Sequence, residues 1–222
     1  MGEWLPVGAT GHRAYLAAPE EGAGPGVLVL HAWWGLTPVF TDICDRLATA
    51  GYAALAPGLF PGGATAATIA EAEALRDAHD EEAVAEPVVR AAAEQLRGLP
   101  AVSDGPLGVV GFSLGAYWAL HLSQVRPDDV NAAVVFYGAD DGDYQTARAA
   151  YLGHFAEHDG FEPLAAVRGL EATIRAAGRE VTFHIYPGTH HWFFEPNRPE
   201  YDPAAAELAW ERTLAFLYDH LD

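Results

Sequence analysis

Gly111-Phe112-Ser113-Leu114-Gly115 stands between an apolar run that ends at Phe112 and a helical pattern that begins at Leu114. A G-x-S-x-G segment in that setting is a nucleophile elbow: the serine sits on a sharp strand-to-helix turn with its hydroxyl clear of the sheet. So tight a turn strains the serine backbone, and glycine at 111 and 115 lets strand and helix approach without a Cβ clash. The helix N-terminus directs backbone N–H groups and the positive end of its dipole at a reacting carbonyl, which makes the Leu114 N–H one oxyanion donor. Three fixed positions in five also arise by chance, with the serine as a plain helix cap. The strand before it, the helix after it and suitable partners downstream favour the elbow.

The flanking chain has the periodicity that such a turn requires. Val27 to His31 is a continuous apolar run, as in a strand buried on both faces of a mainly parallel sheet. Thr37 can cap a helix that starts at Pro38, with Ile43, Leu47 and Ala50 on one face before Gly51 stops it. Further strands are predicted over 52–56, 107–112, 132–137, 149–156 and 181–186, and helices over 114–124, 164–177 and 203–218. Asp80 to Gly98 reads as helical, with Val84, Val88 and Leu96 on one side, and Pro87 is expected to kink or restart it. Pro61 to Ala74 reads as a loop leading into a helix, and Arg13 to Ala18 as an extra strand near an edge. Strands alternating with helices imply an α/β fold with a doubly wound, mainly parallel sheet and functional residues at the carboxyl ends of the strands. With no repeat and no linker, a single domain over residues 1–222 is expected.

Composition narrows the class. Half of the 222 residues are hydrophobic, enough for a sizeable core, yet no apolar stretch approaches the ~20 residues of a membrane span. Met1-Gly2-Glu3-Trp4 lacks the basic start and apolar run of a secretory signal, so a cytoplasmic protein is expected. The balance of 12 Lys+Arg against 31 Asp+Glu leaves a formal charge of −19, which disfavours nucleic acid and anionic membranes as partners. Cys44, the one cysteine, excludes an internal disulfide and lies on a helix as a structural residue.

A serine hydroxyl is a weak nucleophile and needs a base oriented by a third group, here in the chain order Ser, Asp or Glu, His. Asp159 follows the strand 149–156, and the pair His190-His191 follows the strand 181–186. Glu157, Glu162 and Asp140 compete with Asp159, and neighbouring histidines cannot both face Ser113, because successive side chains point in different directions. Metal binding by the pair finds no third ligand at a helical or hairpin spacing, so no metal and no cofactor are expected. His31, Trp33 and Trp34, where the first strand ends, are candidate pocket walls, as are Tyr137 and Trp192. Trp118, on the elbow helix, reads as a packing residue.

The segments from His31 to Pro38, Gly153 to Asp159 and Tyr186 to Phe193, with the elbow, resemble the dienelactone hydrolase family of α/β-hydrolases over nearly the whole chain. The resemblance implies Asp159 as the triad acid. It also implies His191 as the base, at the histidine of a Gly-x-x-His-x-Phe pattern that runs Gly188 to Phe193, and the Trp33 N–H as second oxyanion donor. Three positions depart from the family. Ser113 stands for its cysteine nucleophile, Ala32 for a glutamate that helps control that thiol, and Glu195 for an arginine that helps hold the substrate carboxylate. The first two changes agree, since a hydroxyl activated by histidine has no thiolate to manage.

Together these residues predict a serine hydrolase that cleaves a carboxylic ester or lactone of a small molecule through an acyl-enzyme on Ser113, with a preference for small neutral or aromatic acyl groups. A thioesterase or amidase on the same triad is the alternative among enzymes. A catalytically idle binding module is the alternative outside them, and either a monomer or a homodimer is compatible.

Overall fold

The computed structural model describes residues 2–78 and 80–221. Its strands belong to a mixed, mostly parallel sheet of eight, with helices between them along the chain. The chain divides into two compact units, Met1–Val109 and Val110–Asp222.

In the first unit, β1 (Glu3–Pro6) pairs antiparallel with β2 (Arg13–Ala17), β2 antiparallel with β4 (Ala53–Pro57), and β4 parallel with β3 (Gly26–Leu30). Every residue of β3 and β4 is buried, as their uninterrupted apolar sequences require. Helices α1 (Pro38–Thr49) and α3 (Glu81–Arg97) both pack on these two strands. From α1 they receive Phe40, Ile43, Cys44 and Leu47, and from α3 Val88, Val89, Ala92 and Leu96. Proline at the first turn of α1 and Gly51 at φ +98° after it bound that helix as expected, although the Thr37 side chain makes no capping bond.

Two features of this unit, β1 and the start of α2, differ from expectation. Strand β1 was not anticipated: it is short, mostly exposed and carries Glu3 and Pro6, so its only signal is the pairing with β2. Helix α2 (Ile69–Asp77) starts inside the stretch read as a loop, because Thr68 and Glu71 form a reciprocal capping box. Helix α3 runs through Pro87 without restarting. Both Pro87 and Ala83, whose carbonyl loses its partner, are exposed, so water can satisfy the orphaned acceptor.

The boundary between the units falls within β5 (Leu107–Phe112), which leads into the elbow and then α4 (Leu114–Val125). In the second unit β6 (Val130–Phe136), β7 (Ala150–His158) and β8 (Val181–His190) are parallel in that order. Helix α4 packs on β6, α5 (Leu164–Ala176) on β8, and α6 (Pro203–Leu221) on β6 and β7. Phe112, Phe136 and Phe194 form the centre of this core, with ring centroids 4.5–5.5 Å apart. Strand β8 is longer than its apolar pattern predicts. It follows β7 past a register shift between Ala156 and His158, and pairs His190 with His158. That extension ends the ladder at His190 and makes His191 the first residue to turn away.

Candidate active site

Ser113 has φ +50° and ψ −113°, a conformation that costs a non-glycine residue on the order of 1–3 kcal/mol. Three neighbours hold it there. A Cβ on Gly111 would collide with the Gly115 carbonyl, and one on Gly138 would lie 2.5 Å from the Ser113 carbonyl oxygen, so both positions exclude side chains. The Ser113 N–H donates to the Phe136 carbonyl at 2.9 Å, which ties the elbow to the end of β6. Among the described residues the other non-glycine positive φ values belong to Tyr137, Tyr144 and Trp192. Tyr137 and Trp192 adjoin the same site, and the strain is concentrated there.

Ser113 Oγ lies 3.1 Å from His191 Nε2, and His191 Nδ1 lies 2.7 Å from Asp159 Oδ2. The His191 and Asp159 side chains are only 6% and 1% exposed, so their interaction is little screened by water. Asp159 Oδ1 accepts the backbone N–H groups of Phe161 and Glu162 at 2.8 and 2.9 Å, which fixes the carboxylate independently of the imidazole. Since a carboxylate can only accept, Nδ1 carries the ring proton and Nε2 is left as acceptor for the serine hydroxyl. The Leu114 N–H begins α4 directly after Ser113.

The competing residues are occupied elsewhere. His190 is exposed and its Nδ1 lies 3.1 Å from the His158 carbonyl. Glu157 accepts the Gly188 N–H, and Asp140 accepts from Gln124. Glu162 is half-buried beside Asp159, and burial, then the neighbouring carboxylate, push its carboxyl up to about 7 against the pull of the Ala139 N–H. Among the described residues no group of three His, Cys, Asp or Glu side chains could hold a metal ion.

Several expected pocket walls are corrected. His31 is fully buried in the first unit, with the Leu59 N–H donating to Nε2 at 2.9 Å and Nδ1 2.7 Å from the Ala32 carbonyl. Both nitrogens are used within the core, and burial drives the imidazole down to about 4, so the ring is neutral. Trp34 and Tyr137 are 1% and 0% exposed and present almost no surface to a ligand. Trp33 and Trp34 follow β3, their rings edge-to-face at 5.5 Å, with the Arg76 guanidinium 6.0 Å above Trp33. Trp192 and the exposed Phe161 border a cavity of about 320 Å³ beside His191. Trp118 is buried, as its helix position implies. So is Cys44, whose thiol is pushed far above its ordinary range by burial.

The residues that pack around the His191 ring are not evident from the sequence. The His191 ring lies 4.9 Å from both Tyr137 and Phe161 and 5.0 Å from Trp192. The Tyr137 hydroxyl donates to Glu195 Oε1 at 2.8 Å, and Glu195 is fully buried. The available signal was an acid directly after the aromatic run Trp192-Phe193-Phe194.

Known proteins resemble this chain over nearly its whole length. The sequence model of the dienelactone hydrolase family matches residues 12–221. A protein of Azospirillum brasilense assigned as a carboxymethylenebutenolidase is 32% identical, covering 98% of this chain and 97% of its own. A Bradyrhizobium protein assigned as a 2-oxo-3-(5-oxofuran-2-ylidene)propanoate lactonase is 29% identical over 99% of this chain and 94% of its own. The crystal structure of a Klebsiella pneumoniae protein assigned as a dienelactone hydrolase superposes with a TM-score of 0.88 at 23% identity, covering 99% of each chain, and shares the fold.

Proposed function

The chain belongs to the dienelactone hydrolase family, and on that premise we propose that it hydrolyses carboxylic esters or lactones of small molecules through an acyl-enzyme on Ser113. The observation that carries this is the continuous relay from Ser113 Oγ through His191 to Asp159, at 3.1 and 2.7 Å. His191 takes the serine proton as Oγ attacks the carbonyl and returns it to the leaving oxygen. Asp159 holds the imidazole in the tautomer that leaves Nε2 free and stabilises the imidazolium that forms. The Leu114 N–H, at the positive end of α4, is one oxyanion donor. Water then attacks the acyl-enzyme with His191 acting again as base.

Relatives assigned as carboxymethylenebutenolidase and as a lactonase favour esters and lactones over amides. The aromatic surfaces of Phe161 and Trp192 beside the base favour small neutral or aromatic acyl groups over anionic ones. The test is a panel of p-nitrophenyl esters of rising acyl length together with neutral lactones and dienelactone. Turnover of short-chain or aromatic esters and neutral lactones is the expected result. Turnover confined to the anionic dienelactone would overturn the preference, and no turnover of any ester or lactone would overturn the function.

A further inference from the structure

The carboxyl of Glu195 is fully buried, one side chain away from the His191 ring. Oε1 accepts the Tyr137 hydroxyl at 2.8 Å, and Oε2 is buried without a hydrogen-bond partner among the described residues. The Glu195 backbone is itself fixed, its N–H donating to the Trp192 carbonyl at 2.9 Å and its carbonyl accepting the Arg198 N–H at 3.0 Å. Arg198 and Glu200 supply the neighbouring charges. Tyr137 is equally constrained. It directly follows β6 at φ +40°, and its N–H is tied to the His154 carbonyl at 2.9 Å. Its ring lies 4.9 Å from the His191 imidazole, inclined by 54°, and 5.7 Å from Phe193. The next residue, Gly138, abuts the Ser113 carbonyl. The segment Tyr137-Gly138 therefore touches the base through a ring and the nucleophile through the backbone.

We propose that Glu195 is a positioning residue that, through the Tyr137 hydroxyl, holds the His191 imidazole in the orientation that faces Ser113. The physical ground is that ring contacts alone, here inclined at 54° to His191 and 74° to Phe193, are non-directional and leave the Tyr137 ring free to shift. A hydroxyl anchored to a buried acid removes that freedom for Tyr137, and the contact passes the restraint to the imidazole. A merely structural Glu195 would instead stabilise the fold without altering the base. The inference rests on the triad as proposed above, so its first readout is independent of turnover.

The experiment is nitrogen NMR of the histidine side chains in the ¹⁵N-labelled full-length protein, with the His191 signals identified by their absence in His191→Ala. A single Nδ1-protonated His191 is expected in the wild type and in Glu195→Gln, whose side-chain carbonyl still accepts from Tyr137. Broadened or mixed-tautomer His191 signals are expected in Tyr137→Phe and Glu195→Ala. In turnover of a p-nitrophenyl ester the last two variants should lose about tenfold in kcat with little change in KM. The double variant Tyr137→Phe/Glu195→Ala should lose no more than either alone, because the two residues act as one unit. His191 signals in Tyr137→Phe as sharp as in wild type would overturn the proposal, as would additive losses in the double variant. Absence of wild-type turnover would instead overturn the hydrolase reading and leave the NMR result to decide the positioning role.

Discussion

Nδ1 of His191 donates to Oδ2 of Asp159 across 2.7 Å, while the other oxygen of that carboxylate is held by two backbone N–H groups of the following loop. One side chain thus performs two tasks with two acceptor atoms. Asparagine has a single acceptor oxygen and can satisfy the loop or the imidazole, but not both. If its NH₂ faces Nδ1, the ring takes the tautomer that presents a proton to Ser113 and ceases to be a base. Asp159→Asn should therefore lose about 10³–10⁴-fold in kcat. Steady-state kinetics on a folded variant, checked by circular dichroism, decide the point, and a loss under tenfold would show that Asp159 is dispensable.

The two adjacent histidines should separate sharply. If His191 is the base, His191→Ala should cost on the order of 10³-fold or more in kcat, while His190→Ala, which loses exposed contacts with the His158 carbonyl and ring, should keep most of the turnover. Comparable losses in the two variants would place the base elsewhere or show that the His190 pairing sets the loop.

Much of this fold is legible in the sequence because its signals are local. The apolar runs of β3 and β5, the proline and glycine that bound α1, and the glycine pattern around Ser113 each state their own structure. What depends on pairing is not. β1 exists only because β2 lies beside it, and β8 continues to His190 only because β7 continues to His158. The choice of His191 over His190 has the same origin: the ladder ends after His190, a register that no property of either histidine reveals. The burial of strand-end aromatics is hidden from the sequence for a related reason. A strand-end aromatic such as Tyr137 can face solvent or turn inward, and its buried partner Glu195 lies far away in the chain.

Cys44 offers a control for the nucleophile. Its thiol is fully buried in α1 and held protonated by that burial. Cys44→Ser should retain near wild-type kcat/KM but lose about 1–2 kcal/mol of stability, because it places a hydroxyl among apolar neighbours. Loss of turnover with unchanged stability would move the nucleophile from Ser113 to Cys44.

Glu195 also predicts a pH dependence of stability. Burial, reinforced by Glu200, raises its carboxyl from 4.5 to about 7 against the pull of Tyr137 and Arg198. The folded state therefore holds this proton more tightly than the unfolded chain. Its contribution is fully present below about 4.5 and is lost as pH rises through about 7. Glu195→Gln stays neutral throughout, so its stability relative to wild type should rise by roughly 3 kcal/mol between pH 4 and pH 8. Glu162, raised in the same sense, and His31, lowered to about 4 and acting in the opposite sense, occur in both proteins and cancel in the difference. Urea unfolding of both proteins across that range measures it, and a difference independent of pH would mean that Glu195 does not titrate there.

The nucleophile itself is open to direct chemical capture. A fluorophosphonate reacts with a serine whose hydroxyl is activated by a base and whose developing oxyanion is held, and it leaves a stable adduct that mass spectrometry can locate. The protein should gain one adduct per chain, mapped to the peptide that carries Ser113, and the Ser113→Ala and His191→Ala variants should remain unlabelled. No adduct on the wild-type protein, or an adduct on any residue other than Ser113, would contradict the account.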